Sequence, residues 1–150
     1  VKVYVAGPVA DAATVRAVQS EVVAAGHELT LDWTSDLSFS ESFASMPDRS
    51  AQMAQDEISA VLKADAVLVI ASQHDGRGMF VELGAALARA EVGTLDHVVV
   101  VGPIQHESVF YFHPKVRRVQ TVGEWLEQVG LGSHGAATDC GPQTVDNTRR

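Results

Sequence analysis

An α/β fold with a five-stranded parallel sheet is the class that this 150-residue chain predicts, and three observations point to it. Segments with strand-like and helix-like patterning alternate from end to end. Two apolar runs, residues 66–71 and 97–101, are continuous rather than alternating, as expected of strands covered on both faces. Gly-containing turns follow the segments read as strands one, three and four, at Gly7-Pro8, Gly76-x-Gly78 and Gly102-Pro103.

Taken in order, residues 1–6 (VKVYVA) are rich in β-branched side chains and read as a strand stopped by Gly7-Pro8. Over residues 11–25, Val15, Val18 and Val22 recur at helical spacing, and Gly26 follows as a natural C-terminal cap. Residues 27–33 alternate again and predict the second strand. The Ser- and Asp-rich stretch 34–48 carries Phe39, Phe43 and Met46; a loop of that length is expected to be a lid, a binding loop or an interface. Residues 48–63 predict a second helix with Ala54, Ile58, Val61 and Leu62 on its apolar face. The third strand at 66–71 leads through a turn at 72–78 into an Ala/Leu-rich helix over 79–92. A fourth strand spans 97–101, a loop passes through His113-Pro114, and a short strand at 115–119 precedes a last helix at 123–129. Right-handed crossovers place helices on both faces of such a sheet, and five strands suggest the flavodoxin-like (Rossmann-like) order 2-1-3-4-5. That order puts the ligand-binding switch point between strands one and three. One α/β domain is therefore expected over residues 1–130, with residues 131–150 a polar tail.

Composition narrows the function. With 46% hydrophobic and 20% charged residues the chain is ordinary globular protein, and no apolar run reaches the roughly 18 to 20 residues of a membrane span. Eleven Lys and Arg against nineteen Asp and Glu give a net charge of −8, which disfavours nucleic-acid polymers and anionic membranes as partners. A single cysteine, Cys140, and the absence of a basic, cleavable leader pattern suit a reducing cytoplasm. The six histidines show no metal-ligand spacing, so neither a metal nor an organic cofactor is expected.

The sharpest motif is His74-Asp75-Gly76-Arg77-Gly78-Met79-Phe80-Val81-Glu82-Leu83-Gly84, where a Gly turn after a buried strand opens a helix with its free N–H groups toward the crevice. Glu82 stands in the first turns, and its neighbours Met79, Ala85 and Ala86 are apolar. A carboxylate on such a face is costly without partners. One reading is a Glu that complements the helix dipole; the other is an ionised nucleophile whose pKa the dipole keeps low. Gly84 suggests close packing against the sheet or a ligand. The single Gly7 after the first strand does not make a dinucleotide-binding fingerprint.

Tyr4-Val5-Ala6-Gly7-Pro8, Asp56, Ala64-Asp65-Ala66-Val67 and Gly76-x-Gly78-x-x-x-Glu82-x-Gly84-x-Ala86 together resemble the nucleoside 2-deoxyribosyltransferase superfamily, which also holds deoxynucleoside-monophosphate N-glycosidases. The resemblance spans residues 1–120. It implies cleavage of an N-glycosidic bond, by hydrolysis or by transfer of the (deoxy)ribosyl group to another base. Glu82 would be the nucleophile at C1′, Asp56 a pocket carboxylate and Tyr4 the residue that positions the nucleophile. Gly7, Pro8, Asp75, Gly76, Arg77 and Gly78 would line the substrate site, with Trp33 as a platform for a flat base and His113 at the same end of the sheet. The position six residues before the nucleophile, an Asp in the transferases, is Gly76 here, and the Ser and Arg that hold phosphate after the first strand are not evident in Pro8-Val9-Ala10-Asp11. Whether the substrate carries a phosphate thus stays open. The exposed apolar residues of the 34–48 loop predict a homodimer or higher oligomer, with that loop near the partner or over the site. The rival expectation is a catalytically silent nucleotide-binding module.

Overall fold

A computed structural model describes residues 1–38 and 42–132. The chain folds as β1 (Lys2–Ala6), α1 (Ala12–Ala24), β2 (Glu28–Leu29), α2 (Pro47–Lys63), β3 (Ala66–Ile70), α3 (Arg77–Glu91), β4 (His97–Val101), β5 (Val116–Val119) and α4 (Val122–Gly132). All five strands are parallel and lie in the order β2-β1-β3-β4-β5. This is the flavodoxin-like arrangement, with α1 and α4 packed together on one face and α2 and α3 on the other. Among the described residues no helix is long and apolar enough to cross a membrane.

The central strands explain the apolar runs. Every residue of β3 and Val3 to Ala6 of β1 are buried, because helices cover both faces of the middle of the sheet. Val15, Val18 and Val22 face the sheet from α1, and Gly26, at φ +88°, turns the chain out of that helix.

Several expectations are corrected. The second strand keeps only Glu28 and Leu29 of the seven residues expected. Beyond them the Trp33 indole Nε1–H donates to the Val5 carbonyl at 2.8 Å, which draws the chain over the end of β1 into a 3-10 turn at Trp33–Ser35. In α2, Leu62 is exposed, and the face turned inward runs through Met53, Glu57, Ala60 and Val61. The last helix runs on to Gly132, into the expected tail. Phe39 and residues 133–150, with Cys140, lie outside the described residues.

Candidate functional site

At the carboxyl ends of β1 and β3, where neighbouring connections leave the sheet on opposite faces, a cavity of about 520 Å³ opens. The β1–α1 turn contributes Gly7 to Ala10, the stretch into α3 contributes Asp75 to Met79, and α2 contributes Ser50, Met53, Ala54 and Glu57. Trp33 and Phe43 form aromatic walls, and Glu82 lies at the bottom.

Two glycines let the walls meet. A Cβ on Gly7 would stand 2.6 Å from Val15 Cγ2, and one on Gly76 would press on Met79 and on Pro8 Cγ at 3.1 to 3.2 Å. A side chain at either position would force the turns apart. The same turns are tied by polar contacts: the buried Ser72 hydroxyl donates to the Asp11 carboxylate and accepts from the His74 backbone N–H at 2.9 Å. His74 Nε2 lies 3.9 Å from the other Asp11 oxygen. The first intrahelical bond of α3 runs from the Phe80 N–H to the Gly76 carbonyl, so the N–H groups of Arg77, Gly78 and Met79 precede it at the cavity rim. Arg77 Nε donates to Asp75 at 3.1 Å.

Glu82 is only 5% exposed, and the buried Tyr4 hydroxyl donates to its Oε1 at 2.5 Å. The Glu57 carboxyl faces the same cavity from α2, close enough for the two carboxyls to influence each other's ionisation. Burial pushes the Glu82 carboxyl up to about 8; the Tyr4 hydroxyl opposes that rise and the neighbouring Glu57 charge adds to it. Burial likewise raises Glu57 above the usual carboxylate range; its interaction with Glu82 opposes that rise, and the Asp56 charge beside it adds to it. Tyr4 is held far above its ordinary value by burial and by the Glu82 charge, so it is a permanent neutral donor. Burial thus favours a protonated Glu82 at neutral pH, with the half-buried Glu57 carboxyl as its neighbour.

This overturns the expectation that the helix dipole keeps the Glu82 pKa low. Glu82 is the sixth residue of α3, beyond the first turn in which the dipole acts, and desolvation prevails.

Of the residues singled out in the sequence, Glu82, Gly7, Pro8, Trp33, Asp75, Gly76, Arg77 and Gly78 line the one cavity, and Tyr4 reaches it through Glu82. Two do not join them. Asp56 is exposed, accepts from Gln52 Nε2 at 2.9 Å and borders a separate shallow depression beside Asp36 and Arg49. One residue along a helix is a rotation of about 100°, and it is Glu57 that this rotation aims inward. His113 stands just before β5, where a parallel connection must already have returned to the amino end of the sheet, and it pairs with Glu91 at the far end of α3 at 3.1 Å. Reading from sequence missed Glu57 and Met53, for which the spacing Met53, Glu57, Ala60, Val61, Ala64 was the available signal; Phe43 belongs to the loop expected near a partner or over the site, and it lines the cavity.

No family model matches the chain, and no curated protein matches it. Among solved structures it is similar to the CMP N-glycosidase BcmB of Clostridium botulinum, at a TM-score of 0.51 and 13% identity, over 87% of this chain and 99% of that one. At that identity the likeness extends to the fold.

Proposed function

We propose that this protein cleaves the N-glycosidic bond of a nucleoside or nucleotide, with Glu82 as nucleophile, Tyr4 as the residue that orients it and Glu57 as proton donor and acceptor. The observation that carries this reading is the buried Tyr4–Glu82 hydrogen bond, with Glu57 beside it, in a cavity of nucleoside size. The role that the resemblance implied for Asp56 passes to Glu57. The structural likeness to a CMP N-glycosidase supports the same class of reaction.

The chemistry follows from a protonated carboxyl with a second carboxyl beside it. As positive charge builds at C1′, the ionised form of Glu82 becomes favourable and its proton moves to Glu57. Glu82 then attacks C1′, the C1′–N bond breaks, and the base leaves with the electron pair and takes the proton from Glu57. Water, or a second base, next attacks C1′ of the glycosyl ester. Glu57 accepts the proton lost by that nucleophile, and Glu82 departs as carboxylate. Tyr4 keeps its proton throughout and holds one Glu82 oxygen so that the other faces the sugar. Trp33, tethered to the Val5 carbonyl, offers a rigid apolar wall for the base.

The test is incubation with nucleosides, deoxynucleosides and their 5′-monophosphates, followed by chromatography for free base, with and without a second base as acceptor. Release of base by the wild type and its loss in Glu82→Gln is the expected result. Binding of these compounds without any release would assign the protein to the silent-module class.

A further inference from the structure

α3 turns two sides to its surroundings. Its outer side carries Gly84, exposed and with nothing within 4 Å of where a Cβ would stand, so this glycine does not serve the close packing that its position in the sequence suggested. The inner side meets α2 through two polar residues, Glu82 and Arg89, which lie two helical turns apart. Both helices carry the chain back from the carboxyl ends of parallel strands, so they run in the same direction. On α2, Glu57 and the capping residue Ala64 are two turns apart as well. The helices therefore meet at two levels about 10 Å apart: Glu57 with Glu82 at the cavity, and the end of α2 with Arg89.

The half-buried Arg89 guanidinium donates from Nη1 to the carbonyls of Val61 and Ala64, each at 2.7 Å, and from Nη2 to the Thr94 carbonyl at 2.5 Å. Carbonyls at a helix C-terminus lack a full set of intrahelical partners, and a cation there also faces the negative end of the helix dipole. The base of this grip is rigid. Gly93, at φ +74°, reverses the chain after α3, and the N–H groups of Gly93 and Thr94 return to the carbonyls of Ala90 and Arg89 at 3.1 and 2.9 Å. α2 has little else to hold it in one rotation. It buries only Ala60 and Val61, and the contacts from its start to the preceding loop, Arg49 with Asp36 and the Ser50 hydroxyl with the Phe43 carbonyl, are exposed. Glu57 stands one turn before Val61 and two before Ala64, the residues whose carbonyls Arg89 holds.

We propose that Arg89 is a positioning residue: by gripping the carboxyl end of α2 it fixes the roll of that helix and so turns Glu57, and not Asp56, toward Glu82. As far as it concerns turnover this role rests on the glycosidic reading; the alignment itself is read from the carboxyls.

The test is a carbon-13 NMR titration of the Glu82 carboxyl in the full chain, its signal identified by its loss in Glu82→Gln, with circular dichroism verifying that each variant folds. Glu82 is faced by Tyr4 from β1 and by Glu57 from α2. Loss of a cation by itself favours the neutral carboxyl and moves the Glu82 midpoint up, whereas loss of alignment takes the Glu57 charge away and moves it down. Arg89→Met is expected to lower the midpoint by about one pH unit. Arg89→Lys, which keeps the charge without the planar fork, is expected to lower it less, and it carries the test alone if Arg89→Met does not fold. In a Glu57→Gln background neither substitution is expected to lower the midpoint further, although a fold that had only loosened would admit water and lower it there too. A midpoint that stays or rises in the single variants, or an equal fall with and without the Glu57 carboxyl, would overturn the inference. A lowered midpoint in a protein that releases no base from any nucleoside or nucleotide would end the glycosidic reading and leave the alignment by Arg89 standing.

Discussion

Helices α2 and α3 lie side by side on one face of the sheet, and each sends one carboxyl group into the same cavity. They differ in how they hold it. α3 is pressed against the strands by Met79, Leu83, Ala86, Leu87 and Ala90, and Glu82 is trapped among these apolar groups. α2 buries only Ala60 and Val61, and Glu57 is half-buried at the cavity edge. The more deeply desolvated group is the one pushed to about 8. On the proposed reading the difference divides the labour, with the deeply held α3 carboxyl in the covalent role and the α2 carboxyl, closer to solvent, exchanging protons with base and water.

The largest expected effect tests the α3 side. Glu82→Gln keeps the fold and ligand binding and lowers turnover about 10³-fold or more, measured as the rate of base release. Next is Glu57→Gln on α2, expected to cost about 10² to 10⁴-fold in turnover. It also removes the charge that raises Glu82, so the Glu82 carboxyl is expected to ionise at lower pH than in the wild type, read by NMR titration of its carboxyl carbon. Asp56→Asn, one residue away, is expected to stay within a few-fold of wild type. Equal effects of the Asp56 and Glu57 substitutions would dissolve the distinction drawn here.

Tyr4→Phe is expected to lower turnover about 10- to 100-fold, the worth of a hydrogen bond to a charged group, and to raise the Glu82 pKa further because a stabilising donor is lost. The smallest effect is on stability. The folded state holds the Glu82 proton more tightly than the unfolded chain does, so this group's contribution is complete below the ordinary carboxylate pKa and is lost as pH rises through about 8. Melting temperatures followed from pH 5 to 9 should therefore fall up to about pH 8 in wild type, level off above it, and fall less in Glu82→Gln.

Glu82 was legible from the sequence because its neighbours at helical spacing are apolar whichever way the helix is rolled by a few degrees. Glu57 was not, because Asp56 and Glu57 are adjacent and both lie within a turn of apolar side chains. The roll of α2 about its axis chooses between them, and that roll is set by packing against α3. His113 failed for a related reason: the path of the loop after β4 follows from where β5 must begin, which no local pattern states.

Alternation of strand and helix, continuous apolar runs at β3 and β4, and the Gly turns after β1 and before α3 determined the layered parallel sheet and its switch point. These are short-range properties, governed by periodicity and by backbone sterics that each segment carries with it. The tertiary structure alone decided that the carboxyl pair is Glu82 with Glu57 and that their shared environment raises both pKa values. Desolvation and the coupling of two carboxyls depend on which groups from distant parts of the chain are brought together and on how much water is excluded around them, and neither is a property of any one segment.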